Sequence, residues 1–87
     1  MSHMRDISRG QCRAARALLG WNQERLAVMA NIGKQTVADY ERGARQPIRN
    51  NMMAIKGALE GAGIKFIQTY EGEGAFLNHY TNEDEDV

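Results

Sequence analysis

An 87-residue chain with one cysteine and 43% hydrophobic residues has room for a single small core, which excludes both a disulfide scaffold and a multidomain enzyme. No apolar run is long enough to span a membrane, so a soluble, cytoplasmic protein is expected. The formal net charge of zero hides two opposed halves: residues 1–56 carry ten Lys or Arg against four Asp or Glu, about +6, and residues 57–87 carry one Lys against seven acids, about −6. A basic half is the electrostatic footprint of a phosphate-binding surface, and the terminal Glu83-Asp84-Glu85-Asp86 reads as a solvated acidic tail.

Met1-Ser2-His3 before Met4 reads as a scar of recombinant expression, and residues 1–3 are set aside. Ile7-Ser8 then opens the first helix. Ser8 can cap the amides behind it, Gln11 can reach back to complete a capping box, and Cys12 stands where an apolar staple to Ile7 closes. Cys12 on that inner face is a small core residue, not a nucleophile. Gly20 supplies the left-handed residue that ends the helix.

Trp21-Asn22, with Leu26 as staple partner, predicts a second helix from about Asn22; Ile32-Gly33, with Val37, predicts a third from about Gly33. Asn31 tolerates the left-handed region, so the two helices can turn sharply, and Gly43 stops the third. Ala27 lacks the bulk to hold the third helix away, and Val37 and Tyr40 supply its apolar side. Two short helices across a tight turn have the layout of a DNA-reading helix-turn-helix. Arg42, Arg45 and Arg49 cluster just beyond it.

After Gln46-Pro47, the helical spacing of Met52, Ile55, Ala58, Leu59 and Ala62 predicts a fourth helix from about Asn50. Gly63 should end it, with Ile64 folding back toward Leu59. The period then changes to that of a strand. Ile64–Tyr70 and Ala75–Thr81, separated by Glu71-Gly72-Glu73-Gly74, predict a β-hairpin with a glycine turn. A lone hairpin is rarely stable in water, so its apolar side must cover the helices or a second chain. Phe66, Tyr70, Phe76, Leu77 and Tyr80 are therefore expected at a homodimer interface, the alternative being that the hairpin caps its own helices.

Enzyme chemistry finds little support. His79 has no base, nucleophile or ligand partner nearby in sequence, no cluster has metal spacing, and no glycine loop fits a phosphate cradle, so neither catalysis, cofactor nor metal is expected.

Over roughly Ile7 to Ile67 the chain resembles the lambda-repressor-like (Cro/cI, xenobiotic-response-element) helix-turn-helix regulators. The resemblance rests on Arg16, Leu19-Gly20-Trp21-Asn22-Gln23, Leu26-Ala27, Ile32, Val37, Glu41-Arg42-Gly43 and Pro47. It departs at Asn31, where the family commonly has Gly, and at Gly33, where it commonly has Ser or Thr; the weaker cap costs a few tenths of a kcal/mol. The implied fold is mainly α: a four- to five-helix lambda-repressor-like domain over residues 4–63, a short C-terminal strand or hairpin over 64–81, and the tail over 82–87.

The function implied is sequence-specific binding of double-stranded DNA by a dimeric transcriptional repressor. By resemblance, Lys34, Gln35, Ala38 and Asp39 face the bases, and Gln23, Thr36, Arg42, Arg45 and Arg49 face the phosphates. Arg16 and Glu41 match a structural ion pair. The side chains suit these roles: Gln pairs with adenine through both amide groups, Lys donates to guanine, Ala touches a thymine methyl, and Asp accepts from cytosine. Asp39 is costly beside phosphates unless it finds a base donor or an adjacent Arg. The alternative is a protein-binding adaptor of the same fold, an antiactivator or antitoxin that sequesters a regulator or toxin through the acidic, aromatic C-terminal segment.

Overall fold

The computed structural model describes residues 6–79, so residues 1–3, Tyr80 and the expected acidic tail over 82–87 lie outside the described residues. Its elements are α1 (Arg9–Leu19), α2 (Gln23–Ala30), α3 (Lys34–Glu41), α4 (Arg49–Gly61), β1 (Ile64–Thr69) and β2 (Gly72–Leu77). The architecture is mainly helical, four helices followed by an antiparallel hairpin.

Local chemistry accounts for the helix limits. The Ser8 hydroxyl accepts the Gln11 amide at 3.0 Å while the Gln11 side chain accepts the Ser8 amide at 2.9 Å, a complete capping box. The Asn22 side chain accepts the Arg25 amide at 2.7 Å, whereas Gly33 caps α3 without a side-chain bond. Gly20, Asn31 and Gly43 take φ of 72°, 58° and 79°. In each case the next amide folds back five positions: Trp21 to Arg16, Ile32 to Ala27 and Ala44 to Asp39, at 2.9, 3.0 and 2.8 Å. The first two of these stops keep the α1–α2 and α2–α3 connections to three residues each and force α3 across α2.

The core follows from those crossings. Cys12 and Ala15 of α1, Leu26 and Ala27 of α2, Val37 and Tyr40 of α3, and Met52, Ile55 and Leu59 of α4 are buried together. Trp21 and Ile32, the outer halves of two staples, pack on its edge. Each fully buried Leu or Ile contributes about 1.5–3 kcal/mol. The Tyr40 hydroxyl, buried in this setting, donates to the Ile7 carbonyl at 2.6 Å and pins the entry of α1 over α3.

The hairpin departs from the expected one in its turn. Pairing runs from Ile64 opposite Leu77 to Thr69 opposite Gly72, so Gly72, Glu73 and Gly74 belong to β2 and the loop is only Tyr70-Glu71. Neither loop residue has positive φ. The Thr69 hydroxyl holds the reversal, accepting the Glu71 and Gly72 amides at 3.0 and 3.2 Å. A side-chain acceptor thus replaces the glycine geometry that the sequence suggested.

Alternation along the strands also divides the expected dimer residues. Ile64, Phe66, Ala75 and Leu77 share the face turned to the helices and pack on the core. Phe66 and Leu77 are therefore corrected from a dimer surface to the covering of this chain's own core. Tyr70, at the loop, is 97% exposed, and Phe76, on the outer face, is 52% exposed. Ile67 joins Phe76 on that outer face. Gln11 fastens the hairpin from below: only 2% exposed, its amide nitrogen donates to the carbonyls of Ile67 and Gly74 at 3.1 and 3.0 Å. Ser8 adds a bond from its hydroxyl to Glu73 at 2.6 Å.

Candidate nucleic-acid interface

The rear of α3 is fixed by one buried carboxylate. Glu41 is 3% exposed, and its oxygens accept from Arg16 Nε (2.7 Å), Arg16 Nη2 (2.6 Å), Gln23 Nε2 (3.0 Å) and the Cys12 thiol (3.2 Å). Arg13 donates to the Glu41 carbonyl at 2.7 Å, and Arg16 also reaches the Trp21 carbonyl at 3.0 Å. These bonds tie α1, the α1–α2 turn, the start of α2 and the end of α3 to a single point. Burial alone would raise the Glu41 carboxyl, but the bonds from Arg16, Gln23 and Cys12 outweigh it and hold the group below its ordinary range. Burial, with Glu41 beside it, pushes the Cys12 thiol far upward, so Cys12 is an inert core thiol that donates one weak hydrogen bond.

With its rear held, α3 turns the opposite side to solvent. Lys34 and Gln35 are exposed there, with Thr36, Ala38 and Asp39 half-buried. A shallow cleft of about 130 Å³ brings Gln35, Thr36, Asp39, Arg45 and Pro47 together. Asp39 has found the adjacent arginine its position requires: Oδ1 accepts from Arg42 Nη2 at 2.8 Å and from Gln35 Nε2 at 2.9 Å. Those two bonds hold the Asp39 carboxyl below its usual range. Arg45 and Arg49 are exposed, Arg49 as the first residue of α4.

One expected phosphate ligand is placed differently. The Gln23 side chain turns inward and gives one amide proton to Glu41, which leaves a single N–H for a backbone phosphate. The reason is electrostatic: a buried carboxylate has more lone pairs than one guanidinium fills, and the first residue of α2 is the nearest further donor. Sequence reading also passed over Arg13 and the second role of Gln11. A polar residue on the inner face of α1 was the available signal for Gln11; nothing local marks Arg13.

Among the described residues no group of three or more His, Cys, Asp or Glu could hold a metal ion, and no helix is long and apolar enough to cross a membrane. No curated protein matches this sequence. Residues 13–55, from the middle of α1 to the middle of α4, do match a family model described as helix-turn-helix. That segment contains the α2–α3 pair, Glu41 with its ligands Arg16 and Gln23, and the exposed side of α3. Over that segment the chain matches the lambda-repressor-like (Cro/cI) helix-turn-helix family.

Proposed function

We propose that this protein is a dimeric transcriptional repressor that reads the major groove of double-stranded DNA with α3. The observation that carries the reading is the two-sidedness of that helix: its rear is locked by Glu41, while Lys34, Gln35, Ala38 and Asp39 are presented beside a rim of arginines. Lys34 and Gln35 are the base donors, Ala38 offers a methyl contact, and Thr36, Arg42, Arg45 and Arg49 serve the phosphates. The α2 amides near Gln23, with its remaining N–H, make the backbone contact there.

The test begins with a duplex selected by the full chain from a random-sequence pool. On that duplex Gln35→Ala is expected to cost about 1–3 kcal/mol and relax preference at one base pair. Arg45→Ala is expected to weaken all sequences alike and flatten the salt slope by about one unit. An unchanged preference in Gln35→Ala would remove α3 as the reader. Failure of the parent chain to bind any duplex at low salt would move the assignment to the protein-binding adaptor.

Dimerisation is assigned to the outer face of the hairpin, where Ile67 and Phe76 lie bare, with Tyr70 at its tip. A single small module makes too few contacts for a regulator's affinity, and a two-fold pair doubles them on an inverted repeat with half-site centres about 34 Å apart. Removing the whole hairpin would strip the core, so point changes are the sound test. Ile67→Ser combined with Phe76→Ser should give a folded monomer by sedimentation, with sharply weaker binding to the selected duplex. A parent chain that sediments as a monomer at tens of micromolar would refute the interface.

A further inference from the structure

We propose that Asp39 determines which base Gln35 reads, by holding the Gln35 amide in the one orientation that matches adenine and opposes guanine. This deepens the major-groove reading above and rests on it. The geometry is an i, i+4 pair on α3, Gln35 Nε2 lying 2.9 Å from Asp39 Oδ1, with Arg42 Nη2 on the same oxygen at 2.8 Å. An ionised carboxylate can only accept. The Gln35 atom that faces it must therefore be the amino group, and the carbonyl Oε1 is turned the other way. Arg42 helps to keep Asp39 charged, which makes the orientation persistent at neutral pH.

The consequence follows from the base edges. With one amide proton given to Asp39, Gln35 retains one N–H beside one carbonyl oxygen, a donor next to an acceptor. Adenine offers the complement, N7 as acceptor and N6 as donor. Guanine offers N7 and O6, two acceptors; meeting both requires two free protons, and the oriented carbonyl would face O6 instead. Asp39 removes the second proton from use.

The same carboxylate repels every phosphate and draws one nitrogen of Arg42 away from them, so it lowers affinity for all duplexes while sharpening the choice among them. Asp39 is thus a positioning residue that acts through Gln35. That opposition supplies a test which simple structural damage cannot imitate.

Asp39→Ala in the full chain should bind non-specific duplex several-fold more tightly at low salt, because a negative charge is gone and Arg42 is released. On the selected duplex its preference for adenine over guanine, at the pair to which Gln35 is sensitive, should fall about tenfold. Asp39→Glu keeps a carboxylate on the same helical face and should restore most of the preference. Competition with duplexes carrying each of the four base pairs at that position gives the readout, and Gln35→Ala run in parallel separates the two levels of failure. If Gln35→Ala changes preference nowhere, or the parent selects no duplex, the major-groove reading falls and the proposal with it. If Gln35→Ala erases an adenine preference that Asp39→Ala retains, the proposal alone is overturned. The same holds if guanine is the preferred base at that pair, or if Asp39→Ala weakens specific and non-specific binding together.

Discussion

Glu41→Ala is expected to destabilise the domain by about 3–5 kcal/mol, the scale found when one partner of a buried ion pair is removed and the other charge stays behind. Arg16 would lose both bonds of its fork, and Gln23 and Cys12 would each lose an acceptor. Small domains have roughly 5 kcal/mol or a little more in total, so much of the variant should be unfolded at 37 °C. Circular dichroism melts measure this directly. A variant as stable as the parent would mean that the four bonds contribute nothing net. Adding Arg16→Met to Glu41→Leu should recover part of the loss, since no charge is then left buried and unpaired.

The same carboxylate gives the stability a pH dependence of definite sign. Its pKa is depressed in the folded state, so the stabilisation is fully present above the ordinary value of 4.5 and is lost as pH falls below it through the folded value. The difference in melting temperature between the parent and Glu41→Gln should therefore be widest near neutrality and narrow progressively below about pH 4.5. A gap that widened on acidification would contradict the depressed pKa.

Leu26→Ala is expected to cost about 2–5 kcal/mol, the lost transfer energy plus that of the cavity left behind. Leu26 is fully buried on α2, which packs against both α3 and α4, so neither neighbour can collapse onto the space without releasing the other. Its effect on DNA binding should be indirect. At a duplex concentration about a hundred times Kd, linkage should raise the stability of both parent and Leu26→Ala by about 2.7 kcal/mol. Melts with and without duplex check this. A much smaller rise in Leu26→Ala would place Leu26 in the binding geometry as well as in the core.

The helix limits were legible because each is decided within five or six residues of chain. Ser8 with Gln11, Asn22 with Arg25, and the left-handed stops at Gly20, Asn31 and Gly43 satisfy local amides and carbonyls whatever the rest of the fold does. The pairing of Arg16 with Glu41 was reachable only through family resemblance, since nothing in either residue's neighbourhood announces the other. The hairpin was legible as two apolar arms, but its turn was not. Gly72 and Gly74 look like turn residues by composition, and the Thr69 hydroxyl that makes a two-residue loop workable carries no strong signal in sequence.

What the sequence determined by itself is therefore local: where helices start and stop, which residues form an apolar stripe, and that the basic charge gathers in residues 1–56. What the tertiary structure decided is which polar group meets which. It turned Gln23 inward to Glu41, set Gln11 under the hairpin carbonyls, and placed Phe66 and Leu77 against the core while leaving Ile67 and Phe76 bare. The physical reason is that a buried carboxylate or carbonyl must find donors wherever the helix crossings bring them, and a strand's inner face is chosen by the surface it lands on. Those distances run across 18 to 63 positions of chain, beyond the reach of any local rule.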